Sequence, residues 1–371
     1  MADTNVLPRR GQILDQAIVE ALHHAAEDLP APEHADAFGA VFERYGDADI
    51  VMLGEATHGT SEFYRARAAI TRHLTHNCGF NIVAVEADWP DASNIDRYVR
   101  HHPPTPSRER AFDRFPSWMW RNVEVLEFVN WLKQENTLRA DKDRVEFRGL
   151  DIYSLHTSIA AVLHYLSQVD PASAAEARQR YGCLTPWQSD PASYGRQAML
   201  GGELCANEVQ EQLVALLERR LEYAAKDGES FFDAAQNARI VRSAEQYYRI
   251  MYQGSREAWN LRDRHMFDTL QALMRHRGPG AKAIIWAHNS HIGNAAATSM
   301  GWEGEFNIGE LCRTAYGDRL VAIGFGTDRG TVAAASDWDS PMEIKNVRPA
   351  REDSYEYLFR HSGHTRSLTD W

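Results

Sequence analysis

Cysteine is scarce. Only four residues, Cys78, Cys183, Cys205 and Cys312, occur in 371, scattered and without a CxxC pair. That spacing argues against a structural zinc site or a disulfide framework and fits a reducing cytoplasm. Positive charge is short as well: Lys and Arg number 40 against 52 Asp and Glu, for a formal charge of −12. Nucleic acid and anionic membrane are therefore not expected as main partners. No apolar run is long enough to span a bilayer, and the stretch after Arg9 and Arg10 (GQILDQAIVEALHHAAEDL) reads as an amphipathic helix rather than an apolar signal core. No Walker loop or GxGxxG comes after a strand, and no GxSxG elbow presents a serine. These absences leave a soluble cytoplasmic protein, with neither nucleotide binding nor the usual serine-hydrolase arrangement supported.

What is present is a set of apolar strands that end in polar residues. The run Ile50 to Leu53 stops at Gly54 and is followed by Glu55, Ala56, Thr57, His58 and Gly59, with a helix capped by Thr60 or Ser61 starting behind it. NIVAVEA (81–87) ends in Glu86, Asp88 and Trp89; VEFRGLD (145–151) ends in Asp151; AKAIIWAH (281–288) ends in His288, with His291 close behind. Helical patterns between the strands predict an α/β fold with a mainly parallel sheet and right-handed crossovers. A single amphipathic helix is expected over 117–135, a fifth strand over 319–326 and a sixth over 330–335. From about 154 to 277 the strands cease, and long helical patterns over roughly 196–226, 233–253 and 259–276 predict a helical insertion within a single domain, 1–371. The loop HHPPTPSRER (101–110) cannot continue a helix.

In a parallel sheet the C-terminal strand ends share one edge, so Glu55, Glu86, Asp151 and His288 converge there, joined by His58 and His291. Such crowding perturbs pKa values and is costly unless the groups have work to do. The structural alternative is that these residues cap helices or pair with arginine. Arg65 and Arg67, on the helix after the first strand, are candidates to balance the carboxylates or clamp a substrate carboxylate or oxyanion; being two residues apart, they face different ways. A histidine with carboxylates suits direct deprotonation of water. The same Glu55, His58, Glu86, His288 and His291 form an O/N set suited to a divalent metal such as zinc, iron or manganese, so a metal-dependent hydrolase of another ester class stays open.

The segments GEATHGTSEF (54–63), VAVEADWPDA (83–92), FPSWMWRN (115–122), RGLDIYSL (148–155), WNLRDRHM (259–266) and WAHNSHI (286–292) resemble the erythromycin esterase family, which includes sequences labelled succinoglycan biosynthesis proteins. The resemblance runs from about residue 11 to about 360. It implies a three-layer α/β/α fold and a cleft at the strand tips, where macrolide esterases open a lactone by direct attack of activated water. It implies His58 as the general base, Glu55 and Glu86 as its acids, Arg67 as the arginine, and His288 and His291 as the later histidines. Arg65, Asp88, Trp89, Trp120, Asp151, Asn260 and Arg262 are the expected substrate-side residues. The expectation is hydrolysis of a small-molecule ester or lactone with no required cofactor. A member that binds the small molecule without turnover is the non-enzyme alternative.

Overall fold

Four runs, IVML, IVAVEAD, EFRGLD and AIIW, have almost no water-facing position, and each forms a strand covered on both faces. In the computed structural model of the chain, which describes residues 10–104, 111–113, 116–187, 190–337 and 339–370, these are β1 (Ile50–Leu53), β2 (Ile82–Asp88), β3 (Glu146–Asp151) and β4 (Ala283–Trp286). With β5 (Leu320–Ile323) they make one parallel sheet in the order β3-β2-β4-β1-β5. The part of the Pro-rich loop from residue 105 onward lies outside the described residues.

Alternation along the strands divides the core into two layers. Val51, Leu53, Val83, Val85, Ile284 and Trp286 pack with the helices Ser61–Asn77 and Val123–Thr137 through Ile70, Leu74, Phe128 and Leu132. Ile50, Met52, Ile82, Ala84, Ala283 and Ile285 pack on the other face against Met266, Leu270 and Leu273 of helix Ser255–Arg277. The result is a three-layer α/β/α architecture. The helices between Leu155 and Ile250 have a core of their own, including Leu155, Val162, Leu213, Leu216 and Val241.

Four expectations are corrected. Residues 330–335 do not add a sixth strand to the sheet: among the described residues β6 (Gly330–Ala334) pairs only with β7 (Glu343–Val347), in an antiparallel hairpin. The helix expected over 117–135 is a 3-10 turn, Ser117–Met119, followed by helix Val123–Thr137, because Asn122 accepts the Val125 amide at 2.8 Å and caps a new start. The pattern over 196–226 divides into Pro191–Met199, Ala206–Glu218 and Arg220–Lys226. Finally, Cys183 and Cys205 pair as a disulfide, with Cα atoms 5.9 Å apart, where sequence spacing pointed to none. The packing of the 182–187 turn beside the start of helix Ala206–Glu218 brings them together, and no linear motif records that.

Candidate active site

The parallel order sets four strand ends side by side: Asp151, Glu86, His288 and Glu55 follow one another across the sheet edge. Pairing of β4 with β1 continues past the strands, since Asn289 N donates to the Glu55 carbonyl at 2.9 Å. Gly54 makes this possible. A Cβ there would lie 2.0 Å from Asn289 Oδ1, so a side chain would push the two tips apart. On β2, the register slips between Val85 and Asp88, a bulge that re-aims Glu86 within the edge.

Two adjoining groups result. In the first, His58 Nδ1 lies 2.7 Å from Glu55 Oε1, and Glu55 Oε2 lies 2.7 Å from Arg67 Nη2. Glu55 is buried while the His58 side chain keeps about a third of its surface exposed, 32%. With Nδ1–H donated to the carboxylate, Nε2 is left with its lone pair. Burial disfavours a charged His58 ring, but the Glu55 hydrogen bond and the charges of Glu86 and Glu55 outweigh burial and Arg67, raising its pKa above 6.5.

The His288 ring lies 5.2 Å from that of His58, centroid to centroid. Its Nδ1 accepts the Ser290 amide at 3.2 Å, which leaves Nε2–H to donate to the Ala56 carbonyl at 3.1 Å. Burial lowers its pKa, in keeping with a neutral ring.

In the second group, Arg262 from helix Ser255–Arg277 grips Asp151 through Nε (2.9 Å) and Nη2 (2.6 Å), and Nη2 also reaches Glu86 Oε1 at 2.7 Å. Glu86 Oε2 accepts the His288 amide at 2.8 Å, which ties the two groups together. Burial opposes the charge on Glu86, yet His291 and Arg262 hold its carboxyl well below the usual range.

His291 Nδ1 donates to Asp263 at 2.9 Å, Nε2 stands 3.3 Å from Glu86 Oε1, and its ring stacks on Trp259 at 4.5 Å. Burial resists a charged ring, but Glu86 and Asp263 overcome it and push His291 up to about 9. Arg262 Nη1, 3.0 Å from Nε2, works against them, because it faces a second donor when the ring is protonated. Burial raises Asp263, although its Oδ1 also accepts the Ile308 amide, an arrangement that favours the carboxylate.

A pKa of about 9 in the fold against about 6.5 in the unfolded chain means that His291 binds its proton more tightly when folded. Its stabilisation is complete below pH 6.5 and is lost as pH rises through 9. The urea midpoint is expected to fall across that window, and His291→Gln is expected to flatten the fall. An unchanged slope in the variant would show that His291 is neutral in the fold.

Several expected residues lie elsewhere. Arg67 is fully buried between the rings of Tyr64 (4.7 Å) and Trp286 (5.0 Å), so an oxyanion role does not fit it; it stands behind Glu55. Arg65 is on the outside, bonded to Glu33. Trp89 is buried in the core with its indole N–H on Asp233, which does not fit a substrate-facing role. Trp120, also buried, donates to the Glu86 carbonyl. Asn260 fastens its helix to the distant loop at 304–306 through Gly304 and Phe306, and Asp88 accepts the Tyr153 amide. Trp259, Asp263, Tyr64 and Asn289 went unassigned in the sequence, although each sits within or beside a motif segment. Among the described residues no group of three or more His, Cys, Asp or Glu side chains is disposed to hold a metal ion, and no helix is long and apolar enough to cross a membrane.

Residues 75–371 match the family model described as erythromycin esterase. The chain belongs to the erythromycin esterase family. Erythromycin esterase type II of Escherichia coli is 21% identical over 320 residues, covering 81% of this chain and 74% of that protein. YbfO of Bacillus subtilis (strain 168), a provisionally named hydrolase, is 22% identical over 256 residues, 66% of this chain, and the match spans only 56% of that protein. Among solved structures, a Bacillus cereus protein superposes with a TM-score of 0.77 at 21% identity, covering 94% of this chain and 84% of its own. A mutant of the erythromycin esterase EreC, in its open conformation, superposes at 0.68 and 18% identity, covering 89% and 84%. At these identities the structural likeness establishes the fold alone.

Proposed function

We propose that this family member is a hydrolase that cleaves an ester or lactone by direct attack of a water molecule activated by His58. The observation that carries the reading is the Glu55–His58 pair: a buried carboxylate fixes Nδ1 of a side chain that keeps about a third of its surface exposed, and leaves Nε2 with its lone pair. Nε2 takes a proton from water as the oxygen bonds to the carbonyl carbon. The tetrahedral intermediate collapses, the carbon–oxygen bond to the alcohol breaks, and the imidazolium returns its proton to the departing alkoxide. Arg262, whose side chain retains 14% exposure, supplies positive field for the developing oxyanion. Glu86 and Asp151 hold that arginine, and Arg67 holds Glu55. Macrolide lactones are one substrate class to test, on the strength of the relatives' names.

A panel of aryl esters, alkyl esters and lactones, macrolides included, tests the reading across pH. Only the neutral ring accepts a proton and folding raises its pKa, so kcat/KM is expected to climb with pH through a value above 6.5. Activity is expected to survive dialysis against EDTA. Loss on chelation, restored by one equivalent of zinc or manganese, would move the reaction to a metal-dependent class. No turnover of any panel member would remove the enzymatic reading.

A further inference from the structure

The edge of the sheet at which the strands begin also carries charge. Lys282, Asp49 and Arg319 stand side by side there, just ahead of β4, β1 and β5. The Asp49 amide donates to the Arg319 carbonyl at 2.9 Å, and the Ala283 amide to the Asp49 carbonyl at 2.8 Å. Gln271, Met274 and Arg275, from the last turns of helix Ser255–Arg277, add a wall to this row, and Tyr316 adds another from the end of helix Ile308–Tyr316. With Asp47 and the turn at Gly278, Gly280 and Ala281 they line a cavity of about 550 Å³. The four residues of β1 separate it from the catalytic edge by roughly 13 Å, at about 3.3 Å per strand residue.

The charges of the lining do not cancel. Asp49 is taken by Arg319. Lys282 gives its ammonium to the Gly46 and Cys78 carbonyls and lies over the Phe80 ring, so it is held by dipoles rather than by a carboxylate. Arg275 donates to Gln271 Oε1 at 3.4 Å, an uncharged partner. Two cations therefore face one remaining lining carboxylate, that of the exposed Asp47. Helix Gly228–Ile250 adds to the excess with Arg239 and Arg242. Burial, and then the positive charges of Arg242 and Arg275, lower the pKa of Arg239, against which Asp268 works as the smallest influence. In a chain of formal charge −12 this is a patch of the opposite sign.

We propose that this cavity is a second binding site, for a small organic anion: a carboxylate or a phosphate monoester on an apolar body. One surplus positive charge matches one anionic group, and the planar guanidinium of Arg275 can present two N–H groups to a pair of its oxygens. Met274, Ala281 and the Tyr316 ring give the apolar body a surface, and the volume is in the range of small-molecule sites. The site stands apart from the hydrolase reading, because none of its residues belongs to the catalytic edge.

The test is calorimetry at low ionic strength in a phosphate-free buffer, with benzoate, phenyl phosphate and the neutral benzamide as probes. At least one anion is expected to bind with a Kd of about 1 mM or below, and benzamide at least tenfold more weakly. Benzoate alone would assign a carboxylate, and phenyl phosphate alone a phosphate ester. Arg275→Gln is expected to weaken the anion about tenfold or more, and Asp47→Asn to tighten it several-fold by removing the opposing charge. Both side chains are exposed, so both variants should keep the wild-type melt. No binding of either anion, equal binding of benzamide, an unchanged Kd in Arg275→Gln, or no gain in Asp47→Asn would each overturn the site. Binding that survives Arg275→Gln and is lost in His58→Ala would place the anion at the catalytic edge instead. Calorimetry reads the site whether or not any ester is turned over, so this proposal and the hydrolase reading fail separately.

Discussion

His58→Ala is expected to lower kcat for any ester the protein cleaves by about a hundred- to ten-thousand-fold, the usual contribution of a positioned general base. The fold is expected to persist, because the ring is a third exposed and its single strong contact is with Glu55. A circular-dichroism melt close to wild type, beside a progress curve near the uncatalysed rate, is the expected pair of measurements. Turnover within a few-fold of wild type would take His58 out of the chemistry and pass the proton to another group.

Arg67→Met is expected to be the most destabilising single change at the site. Arg67 and Glu55 are both inside the protein, 2.7 Å apart, and removing one partner strands a charge that water does not reach. Breaking such a buried pair costs about 3–5 kcal/mol. The guanidinium also lies between two aromatic rings, so its loss takes away packing as well as charge. The urea midpoint should drop accordingly. Adding Glu55→Gln should recover part of the loss, because the stranded charge is then gone; a double variant showing the full sum of the two single losses would mean that the pair is not coupled.

The sheet edge was legible because parallel strands buried on both faces write themselves as apolar runs, and the first polar residue after each run marks a tip. Glu55, Glu86 and His288 needed no more than that, whereas the run that ends in Asp151 already carries the buried Glu146 and Arg148. The helical contributors were harder. Arg262 and Asp263 lie in the N-terminal half of a 23-residue helix whose apolar stripe faces the sheet, and periodicity gives the stripe without saying what the flank touches. Trp89 and Trp120 stand in motif segments, yet their side chains are core, because a short motif does not distinguish a residue that supports the edge from one that lines it. The division of labour between Arg65 and Arg67 was readable only as opposite directions on one helix. That one of them is sealed behind Glu55 depended on Tyr64 and Trp286, which meet from sequence positions more than two hundred residues apart. The sixth strand was misplaced for a related reason: alternation identifies an extended segment and is silent about its neighbour.

The strand order has a consequence for how the molecule comes to be made. β4 lies between β1 and β2, so the two glutamates that emerge early from the ribosome have no common wall until residues 283–289 arrive to be threaded between them. Pairings this distant along the chain form late and slowly. Nascent chains cut short before that point contain Glu55, His58 and Glu86 but not the backbone amide that Glu86 accepts or the one that reaches the Glu55 carbonyl. Competence is therefore a property of the finished polypeptide, and a pulse-labelled population should acquire it only after the inserted strand has been synthesised and docked.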